Sequence, residues 1–260
     1  MNTVADMGIH AETKTRTDTC ETHGPFEAKC FIGSIWSKCP ICSAEAAAKE
    51  KAEREAKERD DRRQSWQRRI GEAGIPERFR NRSLQSFAAE TDAQAAALAF
   101  ANAYADGFDD ALATGRSALF IGKPGAGKTH LAVGIGLRIM HRDNRTVLFT
   151  TVMRAIRRVK DTWGRGSRES ETQAIAALVF PDLLILDEVG VQFGSETEKL
   201  ILFDVLNERY EKRRPTLLLS NLTLDDVRAY LGERVFDRLR EDGGEAIPFD
   251  WPSWRGRVAA

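Results

Sequence analysis

Residues 122 to 129 read Gly-Lys-Pro-Gly-Ala-Gly-Lys-Thr, between an apolar run from Ala118 to Ile121 and a helical pattern carried by Leu131, Val133, Ile135 and Leu137. Few segments constrain a fold more. Gly122, Gly125 and Gly127 let the backbone curl until its N–H groups converge on one point. The helix that follows turns the positive end of its dipole toward the same point. Phosphate oxygens suit such a cradle, with Lys128 reaching the β- and γ-phosphates and Thr129 offering its hydroxyl to magnesium. The segment therefore predicts a nucleoside triphosphate site at a strand-to-helix turn.

A second segment points to the same chemistry. Leu183 to Leu186 is an all-apolar run, as in a strand buried on both faces, and it ends in Asp187 and Glu188. Phosphoryl transfer needs a magnesium ligand, assigned to Asp187, and a group that orients and polarises the attacking water, assigned to Glu188. Apolar runs at 118–121, 147–149, 183–186 and 216–219 alternate with helical patterns, as βαβ units require. The expected fold class is α/β, a parallel sheet with helices on both faces, with ligand at the carboxyl ends of the strands. The last run ends in Ser220-Asn221, so Asn221 reaches that rim, either to bond the water or γ-phosphate or as an ordinary turn residue.

The 260 residues and 42% hydrophobic content suffice for one large domain with a small appendage. Basic and acidic residues balance at 39 each, so any attraction to nucleic acid must be local. No apolar run approaches a membrane span, and Met1 to Thr19 is polar without a signal-peptide stretch, which predicts a cytoplasmic protein without a membrane partner. The most lopsided charge is Arg154, Arg157, Arg158, Lys160, Arg165 and Arg168, opposed by Asp161, with Trp163 nearby. Residues 154, 157 and 158 share one helical face, which suits either a single strand's phosphates and bases or a solvated basic surface.

All four cysteines fall between Cys20 and Cys42. Cys20-Glu-Thr-His23 and Cys39-Pro-Ile-Cys42 have the spacing of two knuckles that present four ligands to one tetrahedral zinc. Cys30 is left over, either to replace His23 or to serve as a small buried apolar residue. From Ser43 to Arg69, Ala, Glu, Lys and Arg with interspersed charge predict an exposed helix, ended by Gly71, Gly74 and Pro76. Thr91 to Gln94 has the form of a capping box that opens an Ala-rich helix to Gly107. The expected organisation is a zinc-binding module at 1–43, a charged helical linker at 44–75 and a nucleotide-binding domain at 76–260.

GKPGAGKTHLA (122–132), LLILDEVG (183–190), LLLSN (217–221) and LGERVFDRLR (231–240) together resemble the DnaC-type bacterial and phage replicative helicase loaders. These are AAA+ ATPases, close to initiator proteins and to the IstB transposition ATPases. The resemblance covers residues 76 to 257. It implies a Walker A loop of Gly122, Lys123, Pro124, Gly125, Ala126, Gly127, Lys128 and Thr129, with His130 adjoining it in the nucleotide site. It further implies Asp187 and Glu188 as Walker B, Asn221 as sensor 1, and the basic helix from Val152 to Trp163 as a grip on single-stranded DNA. Within LGERVFDR it implies an arginine finger, Arg238 with Arg234 as the alternative, and hence head-to-tail self-assembly. WPSWRGR (251–257) resembles the loader ending, with Arg255 as sensor 2. The implied function is a weak ATPase, stimulated by DNA or partner, that uses ATP, Mg2+ and Zn2+ to deliver the replicative hexameric DNA helicase onto single-stranded DNA. An IstB-like transposition helper, or a zinc-containing DNA-binding adaptor with a nucleotide switch, are the rival readings.

Overall fold

The computed structural model describes residues 14–30, 35–190 and 195–255. Residues 1–13 of the expected zinc module, and Gly256 and Arg257 of the WPSWRGR segment, lie outside them. The chain forms two compact units, the first ending at Trp66 and the second beginning at Gln67.

In the first unit, β1 (Thr15–Cys20) and β2 (Gly24–Lys29) pair antiparallel, with Cys20 opposite Gly24 at the turn. Gly24 makes this turn at φ 77°, a left-handed conformation that a side chain disfavours. Helix α1 (Pro40–Glu72) starts earlier than the charge pattern suggests, so Cys42 falls in its first turn. Its exposed length carries the i,i+4 pairs Lys49–Glu53, Lys51–Glu55 and Arg54–Glu58. Each contributes about 0.3–0.5 kcal/mol, enough to support a solvated helix and too little to hold a core.

The second unit follows the predicted alternation. Its elements are α2 (Asp92–Asp106), α3 (Phe108–Thr114), β3 (Ala118–Gly122), α4 (Lys128–Arg142), β4 (Val147–Thr151), α5 (Val152–Asp161) and α6 (Glu171–Val179). Then come β5 (Leu183–Val189), α7 (Glu196–Glu211), β6 (Thr216–Ser220), α8 (Leu224–Leu231), α9 (Glu233–Arg240) and β7 (Glu245–Phe249). The expected capping box forms, with Thr91 Oγ1 accepting from Gln94 N–H and Gln94 Oε1 accepting from Thr91 N–H. Five strands make a parallel sheet in the order β4-β5-β6-β3-β7. Leu119, Leu184, Leu186 and Leu218 bury one face against α5, α6, α7 and α9. Helix α4 covers the opposite face, where Gly136 approaches Ile185 closely enough that a Cβ would sit 3.1 Å from it. Strand β7 escaped the sequence pattern because Glu-Ala-Ile-Pro-Phe is neither alternating nor uniformly apolar. Pro248, which has no N–H to give a ladder, is tolerated because β7 is an edge strand. Among the described residues, no helix is long and apolar enough to cross a membrane.

At the end of the sheet away from the phosphate loop sits Arg209, 1% exposed. Its guanidinium donates to the carbonyls of Leu178, Val179, Pro181 and Pro215 and to Thr216 Oγ1. These acceptors end α6 and begin β6, so one cation from α7 ties the two ends together, the Pro215 carbonyl also accepting Leu184 N–H from β5 at 3.3 Å. Burial pulls its pKa down to about 9. Replacing Arg209 with Met should strand these acceptors in the core and lower unfolding free energy by about 3–5 kcal/mol, read as a shifted urea midpoint at unchanged m-value. A loss below about 1 kcal/mol would show that the carbonyls find other donors.

Candidate nucleotide-binding site

The phosphate loop is shaped by conformations that only glycine holds easily. Gly122, Gly125 and Gly127 have φ of 134°, 78° and 100°. A Cβ on Gly122 would lie 2.4 Å from the Phe249 carbonyl oxygen, and one on Gly127 would lie 2.7 Å from the Phe87 ring. The segment after β7 holds the loop from outside. Lys123 N–H donates to Phe249 O at 3.1 Å, Trp251 Nε1–H to Ala126 O at 2.8 Å and Trp254 N–H to Gly125 O at 3.0 Å.

Lys128, the first residue of α4, is 7% exposed. Its ammonium donates to Gly122 O at 2.6 Å, Lys123 O at 2.9 Å and Asn221 Oδ1 at 2.8 Å, which uses all three protons. Thr129 Oγ1–H donates to Asp187 Oδ2 at 2.9 Å. Register slips between Leu186 and Val189, so Asp187 and Glu188 form a bulge at the end of β5. Glu188 takes φ 63°, which is strained for a residue with a side chain, and its N–H donates to Asp187 Oδ1 at 2.8 Å. The bulge leaves the Glu188 side chain exposed while Asp187 stays half-buried.

These groups line one cleft of about 260 Å³, together with Pro124, Gly125, Gly127, His130, Arg255, Arg78, Phe79 and Arg82. Gly122, Lys123 and Ala126 shape the loop without lining it. His130 Nε2 sits 2.9 Å from Ser83 O and 3.1 Å from Ser86 Oγ, so it ties α4 to the segment before α2. Burial lowers its pKa. Burial also pulls Lys128 down to about 8, against the raising influence of Asp187 and with Arg255 adding to the fall. Asp187 moves up, again through burial, although Glu188 N–H, Thr129 and Lys128 favour its charged form. A polyanion with a dication would reverse both shifts. Sequence reasoning missed Arg78, Phe79 and Arg82. Their signal was the basic-aromatic string Arg78-Phe79-Arg80-Asn81-Arg82 after Pro76, which has no periodicity to mark it.

A family described as "IstB-like ATP binding protein" matches residues 42–240. The chain belongs to the IstB/DnaC family. The replicative helicase loader DnaC of Escherichia coli K12 is 38% identical over 203 residues, covering 78% of this chain and 81% of that protein. DnaC of Buchnera aphidicola from Acyrthosiphon pisum is 35% identical over 201 residues, covering 77% and 80%. The crystal structure of the DnaC helicase loader superposes with a TM-score of 0.60 at 24% identity, over 66% of this chain and 99% of that one. The fold is thus the AAA+ P-loop sheet that the motifs imply. The family match ends before Arg255 and begins after Cys20, His23 and Cys39.

Two family positions lie away from the cleft. Arg238 on α9 stacks over Tyr210 at 4.7 Å, with its Nη1 shielded from water and unbonded. Arg234, one turn earlier, is exposed, with its guanidinium 5.8 Å from the Phe203 ring. On α5, which ends at Asp161 rather than Trp163, Arg158 pairs with Glu169 at 2.6 Å and Lys160 with Glu198 at 2.8 Å. Arg154, Arg157, Arg165 and Arg168 are exposed without ion pairs among the described residues, and Trp163 is 51% exposed.

In the first unit, the ligand atoms of Cys20, His23, Cys39 and Cys42 lie within 4.8 Å of one another. The first pair occupies the β1–β2 turn and the second the start of α1. Cys30 is outside the group, bridged instead to Trp36 at backbone level. Backbone N–H groups of Thr22 and His23 draw the Cys20 thiol down to about 6, while its hydrogen bond to Cys20 pushes the Cys42 thiol up to about 12, so the neighbouring pair shares one proton. His23 Nε2 faces Glu45 at 3.4 Å, which orients the ring. Three thiols and an imidazole are a four-ligand donor set of the kind that suits zinc.

The Lys128 shift yields a pH dependence for nucleotide binding. A triphosphate raises the lysine's pKa above its free value of about 8, so binding takes up a proton at higher pH. Mg·ATP affinity should be flat below pH 7 and fall by up to about tenfold per unit above pH 8, with buffer-dependent heats in calorimetry. Equal affinity at pH 7 and pH 9 would contradict the shift.

Proposed function

We propose that this chain is an ATP-dependent loader that delivers the replicative DNA helicase onto single-stranded DNA, working in the cytoplasm. The observation that carries the reading is the cleft in which Lys128 is already hydrogen-bonded to Asn221 and Thr129 to Asp187. The 38% identity to a DnaC loader supplies the class of task. Lys128 and the loop N–H groups hold the β- and γ-phosphates, and Thr129 and Asp187 hold magnesium, which neutralises the developing charge. Glu188 orients the attacking water. Asn221, released by Lys128, senses the γ-phosphate. Arg255 contacts the nucleotide of its own chain, and Arg238 reaches the nucleotide of a neighbouring copy in a head-to-tail assembly, which it can do by leaving its stacking on Tyr210. The unpaired arginines of α5 and its following turn, with Trp163, take the single strand. Hydrolysis is weak and serves as timing, completed by DNA or helicase contact. The match to an IstB-like ATP binding family keeps a second reading, an IstB-like transposition helper.

Zinc held by Cys20, His23, Cys39 and Cys42 closes the first unit, which has few buried apolar residues of its own. Metal analysis should find close to one zinc per chain, lost in Cys42→Ser, whereas well under half a zinc in careful preparations would refute the site. Tagged protein with Mg·ATP should retain the cognate hexameric helicase in a pull-down, and mixing Lys128→Ala with Arg238→Ala chains should restore ATP turnover that neither has alone. Absence of helicase in every nucleotide state would remove the loader role and leave the ATPase standing.

A further inference from the structure

The cleft contains more positive charge than its phosphate loop explains. Arg78, Arg82, Lys128 and Arg255 face Asp187 and Glu188, a surplus of two formal positive charges. Magnesium-bound ATP carries about two net negative charges near neutral pH, so the surplus matches the complex rather than the free nucleotide. Lys128 is engaged by backbone and Asn221. The side chains of Arg78 and Arg82, both exposed, make no hydrogen bond or ion pair among the described residues.

Their neighbour Arg80 behaves differently, which shows how the turn sorts its arginines. Arg80 Nε donates to Ile75 O at 3.3 Å and its guanidinium lies 3.6 Å from Glu77, so it serves the turn itself. The turn is also fixed relative to the loop. His130 bonds Ser83 O and Ser86 Oγ, and the Phe87 ring packs where a Gly127 side chain would go. Two unpaired guanidinium groups are thereby held at the cleft, beside the Phe79 ring.

We infer that Arg78 and Arg82 are nucleotide-binding residues of this chain, a cationic clamp that attracts and charge-balances Mg·ATP at the cleft mouth. The inference rests on the nucleotide reading of the site and adds residues to it. Because both arginines are exposed, their action is long-range attraction that raises the association rate and fades as salt screens it. Each supplies part of the balance for the triphosphate's third phosphate, so ATP gains more from the clamp than ADP does.

The test is calorimetric titration of the full chain with Mg·ATP and Mg·ADP at about 50 mM and about 500 mM salt, where the screening length falls several-fold. Arg78→Ala/Arg82→Ala should bind Mg·ATP roughly tenfold more weakly at low salt and within about threefold of wild type at high salt, with a smaller loss for Mg·ADP. Arg78→Lys/Arg82→Lys should recover most of the loss, and circular dichroism should be unchanged in both variants. Wild-type affinity and salt slope in the double alanine variant, with binding abolished by Lys128→Ala, would overturn the clamp and keep the site. A loss independent of salt and not restored by lysine would also overturn it, by showing a packing role. No binding by the wild type would remove the nucleotide reading and the clamp together.

Discussion

A buried ammonium at the carboxyl end of a parallel sheet is the constraint around which the second unit is arranged. Lys128 remains charged there only because two loop carbonyls and Asn221 accept its three protons. Each acceptor depends on a different feature. Gly122 presents its carbonyl only at a φ that glycine tolerates, and the close backbone of β7 excludes any side chain there. Asn221 reaches the lysine because β6 lies beside β3, although four helices and two strands, α4 to α7 with β4 and β5, separate them in sequence. An unpaired buried amine would lose its proton or draw water into the sheet end. The same strand order sets Asp187 beside Thr129, so their hydrogen bond follows from the topology that satisfies the lysine.

Much of this was legible in the residues. The glycine spacing, the Leu183–Leu186 run with its two carboxylates and the apolar run into Ser220-Asn221 are local patterns whose geometry the backbone obeys. The structure adds the bulge at Asp187 and Glu188, which turns one carboxylate inward and leaves the other exposed and strained. Alternation alone would also send successive side chains to opposite faces, but it gives no sign of a residue at positive φ. Strand β7 was unreadable because an edge strand with one fully buried residue needs no regular apolar pattern. Arg209 was unreadable for a different cause: an arginine near a helix end looks like surface charge until the carbonyls it gathers are known. The cleft arginines 78 and 82 come from a turn whose position is fixed by His130, a contact 44 to 47 residues distant in sequence.

The two units illustrate different ways of holding structure. The second buries whole strands between helix layers, and its buried Lys128 and Arg209 are satisfied mostly by backbone carbonyls, with Asn221 and Thr216 adding one side-chain acceptor each. The first has little apolar burial and brings three thiols and an imidazole to one point, a donor set that could hold a metal ion where a core is lacking. Beyond Cys42 in its first turn, the charged helix α1 adds little to either, since only Ile70 along it is buried. Its ion pairs keep it solvated and helical, in keeping with a spacer.

In the proposed function, the loop at 122 to 129 holds a nucleotide by exchanging the protein partners of Lys128 for phosphate oxygens. Calorimetric titration of Mg·ATP at neutral pH into the intact chain, beside Lys128→Ala checked for unchanged fold and melting, tests it most directly. The account predicts saturable heat with one nucleotide per chain in the wild type and none in the variant. No heat in the wild type, or equal binding in both, would contradict it.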